Sequence, residues 1–159
     1  MNRITSINKE KLSSIIKFMD DNIDEYRYFK RLGWDRKNIE SQFNKDNNYC
    51  LGYFKANNLV GLLIGDAIKN DKDFDLELHI LIVSKDQRRK QIATKLLNYV
   101  ETNITNFSQI FIEVAEDNLG AISFYQKNNF VFLNFRHNYY RYNNKNIHAK
   151  CYIKKINHE

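Results

Sequence analysis

The spacing of apolar positions changes repeatedly along the chain, and each change marks an element. RITSI, residues 3–7, alternates briefly and predicts a first strand; in the following NKEKLSSIIKFMDDN, Leu12, Ile15, Ile16 and Met19 recur at helical spacing. WDRKNIESQF, after Gly33, predicts a second helix with Asp35 as its N-cap and Ile39 and Phe43 on one face. Three strand-like runs come next, NYCLGYF, NLVGLLIGDAI and FDLELHILIV, separated by KANN and by the charged turn KNDKD. They predict an antiparallel meander. QIATKLLNYVETN brings Ile92, Leu96 and Val100 onto one stripe beside Leu97, an amphipathic helix. SQIFIEV is the next strand, NLGAISFYQKN the next helix, and FVFLNF and HAKCYIKKI two closing strands. The strand, helix, strand order over residues 74–114 requires a parallel crossover in the middle of the sheet.

Composition narrows this picture. A chain of 159 residues with no proline and no Gly/Ser-rich linker predicts one core spanning residues 1–159. A hydrophobic fraction of 43% and an aromatic fraction of 14% exclude a disordered chain. No apolar run approaches ~18 residues and the N-terminus lacks the apolar block of a signal peptide, so a cytoplasmic protein without a membrane segment is expected. The net charge of +6 is spread along the chain rather than gathered into a patch, which argues against nucleic acid as the main partner. Cys50 and Cys151 fit neither a disulfide framework nor a zinc spacing and are expected as buried small hydrophobes. His79, His137, His148 and His158 are scattered, and no metal is expected.

Three local features can carry chemistry. A strand ending at Val83 is followed by the basic turn SKDQRRK and a helix opening at Gln91, Ile92 and Ala93; free N–H groups and the positive end of the dipole make such a helix start an anion site. Arg88, Arg89 and Lys90 add to that field. In IFIEV, alternation sends Ile110, Ile112 and Val114 to one face and Phe111 and Glu113 to the other, leaving a carboxylate in an apolar strand where it can face solvent or act as a general base. In DNLGAISFYQKNNF, Asp117 or Asn118 can cap a helix that carries Tyr125, a residue that packs or donates a proton.

The order V-x-x-x-x-R-R-K-x-I-A-x-x-L-L followed by I-E-V-x-x-x-N-x-x-A-I-x-x-Y-x-x-x-x-F resembles the GNAT superfamily of acyl-CoA-dependent N-acyltransferases, and most of all its RimI branch, the ribosomal-protein alanine N-acetyltransferases. GWDRKNIESQF looks like that branch's tryptophan-led helix and FRHNYY like its arginine-and-tyrosine segment. The resemblance implies an α/β (α+β) GNAT fold: a mixed, mostly antiparallel sheet of about seven strands with a parallel crossover, flanked by about four helices. It implies acetyl-CoA as co-substrate, with Leu81, Ile82 and Val83 holding the pantetheine arm, Arg88 opening the cofactor-binding motif, Arg89, Lys90, Gln91, Ile92, Ala93 and Thr94 forming the pyrophosphate loop, and Asn118 also touching the cofactor.

By the same resemblance Glu113 is the proton acceptor and Tyr125 the proton donor. Trp34, Tyr139 and Tyr140 would shape an acceptor groove for the N-terminal amine of a ribosomal protein, and some of Asp20, Asp21, Asp24 and Glu25 would face a basic peptide. A small-amine acceptor (a polyamine, an amino sugar or an antibiotic) and a non-catalytic acyl-CoA-binding module are the alternatives; oligomeric state is left open. Gln91 stands where the family usually has glycine, and it is compatible with the loop if its φ is helical and its side chain points away from the ligand. Asn129 also replaces a usual glycine, and asparagine tolerates a left-handed cap.

Overall fold

The computed structural model describes residues 1–103 and 106–157. Seven strands, β1 (Asn2–Ser6), β2 (Asn48–Lys55), β3 (Asn58–Lys69), β4 (Phe74–Val83), β5 (Phe107–Ala115), β6 (Val131–Tyr142) and β7 (Lys145–Lys155), form one sheet in the order β1-β2-β3-β4-β5-β7-β6. All neighbours are antiparallel except β4 and β5, which the crossover helix α4 (Ile92–Asn103) connects in parallel. The other helices are α1 (Leu12–Asp21), α2 (Ile23–Arg31), α3 (Arg36–Gln42) and α5 (Leu119–Lys127). His158 lies outside the described residues.

The predicted elements are present with two extensions. α2 is an additional helix. Its sequence IDEYRYFKR has no aliphatic stripe, and only Tyr26 is buried; Asp24 and Glu25 in its first turn and Lys30 and Arg31 in its last complement the helix dipole. β6 runs on past the predicted FVFLNF to Tyr142, because pairing with β7 continues through Tyr140, Arg141 and Tyr142. Asp35 begins α3 as expected, accepting a 2.8 Å hydrogen bond from the Asn38 N–H. Asn129 has φ +67°, the left-handed cap read from its sequence position.

Two apolar cores lie on opposite faces of the sheet. One gathers Leu76, Leu78, Ile110, Ile112 and Val114 with Leu96, Leu97 and Val100 of α4 and Ile122 of α5. The other gathers Ile15, Ile16 and Met19 of α1, Tyr26 and Ile39 with Leu62, Ile64, Ile80 and Ile82. In an undisturbed strand Leu76, Leu78, Ile80 and Ile82 would share a face. They divide because of a bulge: Ile64 pairs with Ile80 and Gly65 with Leu78, so His79 is an extra residue that shifts the alternation. Gly65 permits this crowding, since a Cβ there would sit 2.4 Å from the Glu77 carbonyl oxygen.

Candidate active site

β4 and β5 pair only from Phe74 and Phe107 up to Leu78 and Ile112. Beyond that point β4 continues with β3 alone and β5 with β7 alone, and the parting strands open a cleft of about 1740 Å³. A single small-ligand pocket holds roughly 300–1,000 Å³. The space therefore suits two substrates meeting end to end.

One half of the cleft is built by the end of β4 and the start of α4, and Leu81, Ile82 and Val83 line it together with Arg88, Arg89, Gln91, Ile92, Ala93 and Thr94. The first helical bond of α4 is donated by the Lys95 N–H to the Gln91 carbonyl at 2.9 Å, which leaves the N–H groups of Ile92, Ala93 and Thr94 at the open end. Arg89 and Gln91 both have φ +60°. The helical φ expected at Gln91 is thus corrected: the chain must reverse between the end of β4 and α4, and left-handed residues at Arg89 and Gln91 accomplish that reversal. Gln91 occupies a glycine conformation at a cost of about 1 kcal/mol.

Two of the basic side chains are engaged elsewhere. Lys90 Nζ donates to the Asp86 carbonyl and to Gln87 Oε1, and its side chain does not line the cleft. Arg88 lines the cleft but pairs at 2.8 Å with Glu25 of α2. The same helix reaches the far wall, where the Tyr28 hydroxyl accepts from the Ala115 N–H at 3.3 Å and Arg31 pairs with Asp117 at 2.8 Å. α2 therefore bridges the loop before α4 and the end of β5. Asn118 lines the cleft as the cap of α5, its Oδ1 accepting from the Ala121 N–H at 3.2 Å.

Glu113 faces the cleft from β5, and Arg136 on β6 donates a short hydrogen bond to its Oε1. The Arg136 guanidinium lies 4.0 Å over the Tyr139 ring, whose centroid is 4.9 Å from that of Tyr140. Burial first, then the Glu113 charge, pushes both tyrosine hydroxyls above their ordinary range. Tyr125 on α5 borders the same cleft and packs edge-on against Phe130. Burial, with Tyr28 beside it, raises its hydroxyl far above the usual value, so it is a protonated phenol at neutral pH.

Trp34 also lines the cleft. Gly33, at φ +96°, ends α2 with the Trp34 N–H bonded back to the Phe29 carbonyl, and the Tyr26 hydroxyl donates to the Trp34 carbonyl at 2.7 Å. The indole rests against His79, ring centroids 4.8 Å apart. Asp24 and Glu25 line the cleft as well, whereas Asp20 and Asp21 do not.

The spacing of the histidines hid His79, and with it a polar cluster. Asp66 Oδ2 lies 3.0 Å from His79 Nε2, and Asp66 also accepts from Gln42 at 2.6 Å and Lys45 at 3.0 Å. Burial pushes the Asp66 carboxyl up, but these hydrogen bonds outweigh it and hold the group below the ordinary carboxylate range. The signal was present: Asp66 is a charge inside the apolar run NLVGLLIGDAI, as Glu113 is inside IFIEV. Cys50 and Cys151 are buried and unbridged. Among the described residues no group of three His, Cys, Asp or Glu side chains is placed to hold a metal ion, and no helix is long and apolar enough to cross a membrane.

The profile of the acetyltransferase (GNAT) family matches residues 15–130. Several solved structures share the fold. A probable acetyltransferase from Staphylococcus epidermidis is 18% identical with a TM-score of 0.80, covering 99% of this chain and 100% of its own. The ribosomal-protein-S18-alanine N-acetyltransferase of Escherichia coli is 18% identical with a TM-score of 0.77, over 100% of this chain and 96% of its own. NAA60 of Arabidopsis thaliana, in complex with acetyl-CoA, is 16% identical with a TM-score of 0.76, over 99% and 100%. No curated protein matches the chain by sequence.

Proposed function

The chain belongs to the GNAT acetyltransferase family, and from that premise we propose that residues 1–159 act as one N-acetyltransferase domain that moves the acetyl group of acetyl-CoA to the N-terminal α-amine of a protein. The residues present suit acetyl-CoA: the N–H groups of Ile92, Ala93 and Thr94 lie at the open start of α4 beside the cleft, where a pyrophosphate would be held, and the apolar end of β4 at Leu81, Ile82 and Val83 lines the same cleft as Glu113. In this reading Arg89, Gln91, Ile92, Ala93 and Thr94 hold the pyrophosphate and Asn118 borders the pantetheine arm. Arg88 adds charge, and Lys90 contributes through its backbone.

The observation that carries the acceptor assignment is the other half of the cleft, where aromatic walls from Trp34, Tyr139 and Tyr140 surround carboxylates from Glu77 and Glu113. Such a groove suits an extended, cationic chain end. A peptide α-amine titrates near ~8 and a lysine amine near ~10, so the former reaches its neutral, attacking form more easily at neutral pH. Glu113 accepts a proton from the acceptor nitrogen, directly or through water, and the Tyr125 phenol protonates the departing thiolate. Arg136 and Tyr139 fix the direction of the Glu113 carboxylate. The likeness to an S18-alanine N-acetyltransferase supports a ribosomal protein as acceptor.

The test is thiol release from acetyl-CoA with a panel of N-terminal peptides, lysine peptides and small amines. Release with N-terminal peptides is expected. Release with polyamines, amino sugars or antibiotics and with no peptide would overturn the protein N-terminus as acceptor.

A further inference from the structure

His79 has no part in the roles assigned above, yet its position is unlike that of a core histidine. It is the first residue of β4 after the last pair with β5, as Glu113 is the first of β5, so the two residues flank the point where the strands part. As the bulged residue it has no pairing partner in β3 or β5. Its side chain is 16% exposed, lines the cleft and rests on Trp34. Nε2 is held at 3.0 Å by Asp66, which Gln42 and Lys45 hold in turn. That leaves Nδ1 as the nitrogen available to another partner. Glu77, next to it but one in β4, is the other charge bordering the cleft from this strand.

We propose that His79, oriented by Asp66, is a second proton-accepting residue of the acetyl transfer, the one that takes the first proton from the acceptor ammonium. The inference rests on the acetyl-transfer reading. An ammonium acceptor carries three N–H bonds and the amide product one, so two protons must leave nitrogen. The first leaves before attack and passes to His79 Nδ1, and from the imidazolium to solvent. The nitrogen lone pair then forms the C–N bond as the C–S bond breaks. The second proton passes to Glu113, Tyr125 gives its own to the thiolate sulfur, and Glu113 restores Tyr125. One proton is released per turnover. An imidazole, ordinarily near ~6.5, is a closer match to an α-ammonium near ~8 than a carboxylate near ~4.3, so the first transfer is less uphill to histidine. Asp66 stabilises the imidazolium that forms, as a buried carboxylate does behind other catalytic histidines.

The experiment compares thiol release by the wild-type chain with that by His79→Gln, His79→Ala and His79→Phe, using an N-terminal peptide as acceptor, alongside acetyl-CoA affinity by calorimetry. His79→Gln is expected to lower kcat/KM for the acceptor by about 10²-fold with acetyl-CoA affinity unchanged. Added imidazole is expected to restore part of the His79→Ala rate. His79→Phe, which keeps an aromatic ring against Trp34, is expected to fold and remain inactive. Wild-type-like turnover by His79→Phe would make the ring a packing element and overturn the proposal, as would inactivity of His79→Ala without imidazole rescue. A wild-type chain that turns over no acceptor would sink the acetyl-transfer reading itself; an active wild type with an equally active His79→Gln would sink this inference alone.

Discussion

Arg136 and Glu113 are joined across an intervening strand: Glu113 on β5 and Asn134 on β6 both pair with Cys151 of β7, and the Arg136 guanidinium reaches back over that strand to the Glu113 carboxylate. Both side chains are part-exposed, at 49% and 25%, so the pair contributes little to stability and more to the direction of the carboxylate. Glu113→Gln is expected to lower kcat by about 10²-fold, the usual contribution of a positioned general base. Arg136→Ala should lower kcat less, about 10-fold, with melting temperature nearly unchanged. Steady-state thiol release and thermal melting check both; an Arg136→Ala chain with wild-type kcat would remove the orienting role.

Tyr125→Phe keeps the ring that packs against Phe130 and deletes only the hydroxyl. The expected result is a lower kcat with acetyl-CoA affinity retained, measured by kinetics and calorimetry. Unchanged turnover would remove Tyr125 from the proton path.

The turn before α4 sorts backbone from side chain. Gln91 is at φ +60°, so Gln91→Gly should keep acetyl-CoA binding and stabilise the fold by up to about 1 kcal/mol through relief of the left-handed strain. Ala93 sits in the first turn of α4 on the cleft wall, and Ala93→Val should weaken acetyl-CoA binding by a factor of about 10 by holding the pyrophosphate off the N–H groups. Calorimetric titration of the two variants decides it; the reverse order of effects would mean that the pyrophosphate lies elsewhere.

Asp66 links stability to acid. Its folded-state pKa is depressed relative to the ordinary ~3.9, so its contribution is fully present above that value and is lost as pH falls through the folded one. The wild-type melting temperature should therefore fall as pH drops below about 4. Asp66→Asn should melt lower at neutral pH, because Lys45 and His79 lose their anion, and should show a shallower acid slope. Thermal melts from pH 3 to 7 compare them; parallel curves would show that Asp66 does not carry this linkage.

A change at one glycine tests the bulge. Gly65→Ala would set a Cβ 2.4 Å from the Glu77 carbonyl oxygen, a backbone atom that cannot step aside. A loss of about 1–3 kcal/mol is expected by denaturant unfolding, together with lower activity as His79 and Glu77 shift.

Local periodicity made most of the fold legible: the alternation of IFIEV put Glu113 opposite Ile110, Ile112 and Val114, and the stripe of Ile92, Leu96 and Val100 faces the sheet as its spacing requires. α2 escaped notice because aromatic and charged residues can satisfy a helix through capping charges and a single buried ring without an aliphatic stripe. The glycine-free stretch was legible as a helix start after a basic turn, but not the two left-handed residues before α4, since φ is set by where the chain must go next.

The sequence by itself determined the order of the elements other than α2, the helix cap at Asp35, a cap for α5 at Asp117 or Asn118, and the motif that carries the family resemblance, because each depends on residues within a few positions of one another. Only the tertiary structure decided that β4 and β5 part after Leu78 and Ile112, that Arg88 pairs with Glu25 and Glu113 with Arg136, and that a single bulged residue turns His79 toward Trp34 and Asp66. Those contacts join positions 13 to 63 residues apart, and no local spacing encodes them. They exist because sheet register and helix packing bring distant side chains to one opening.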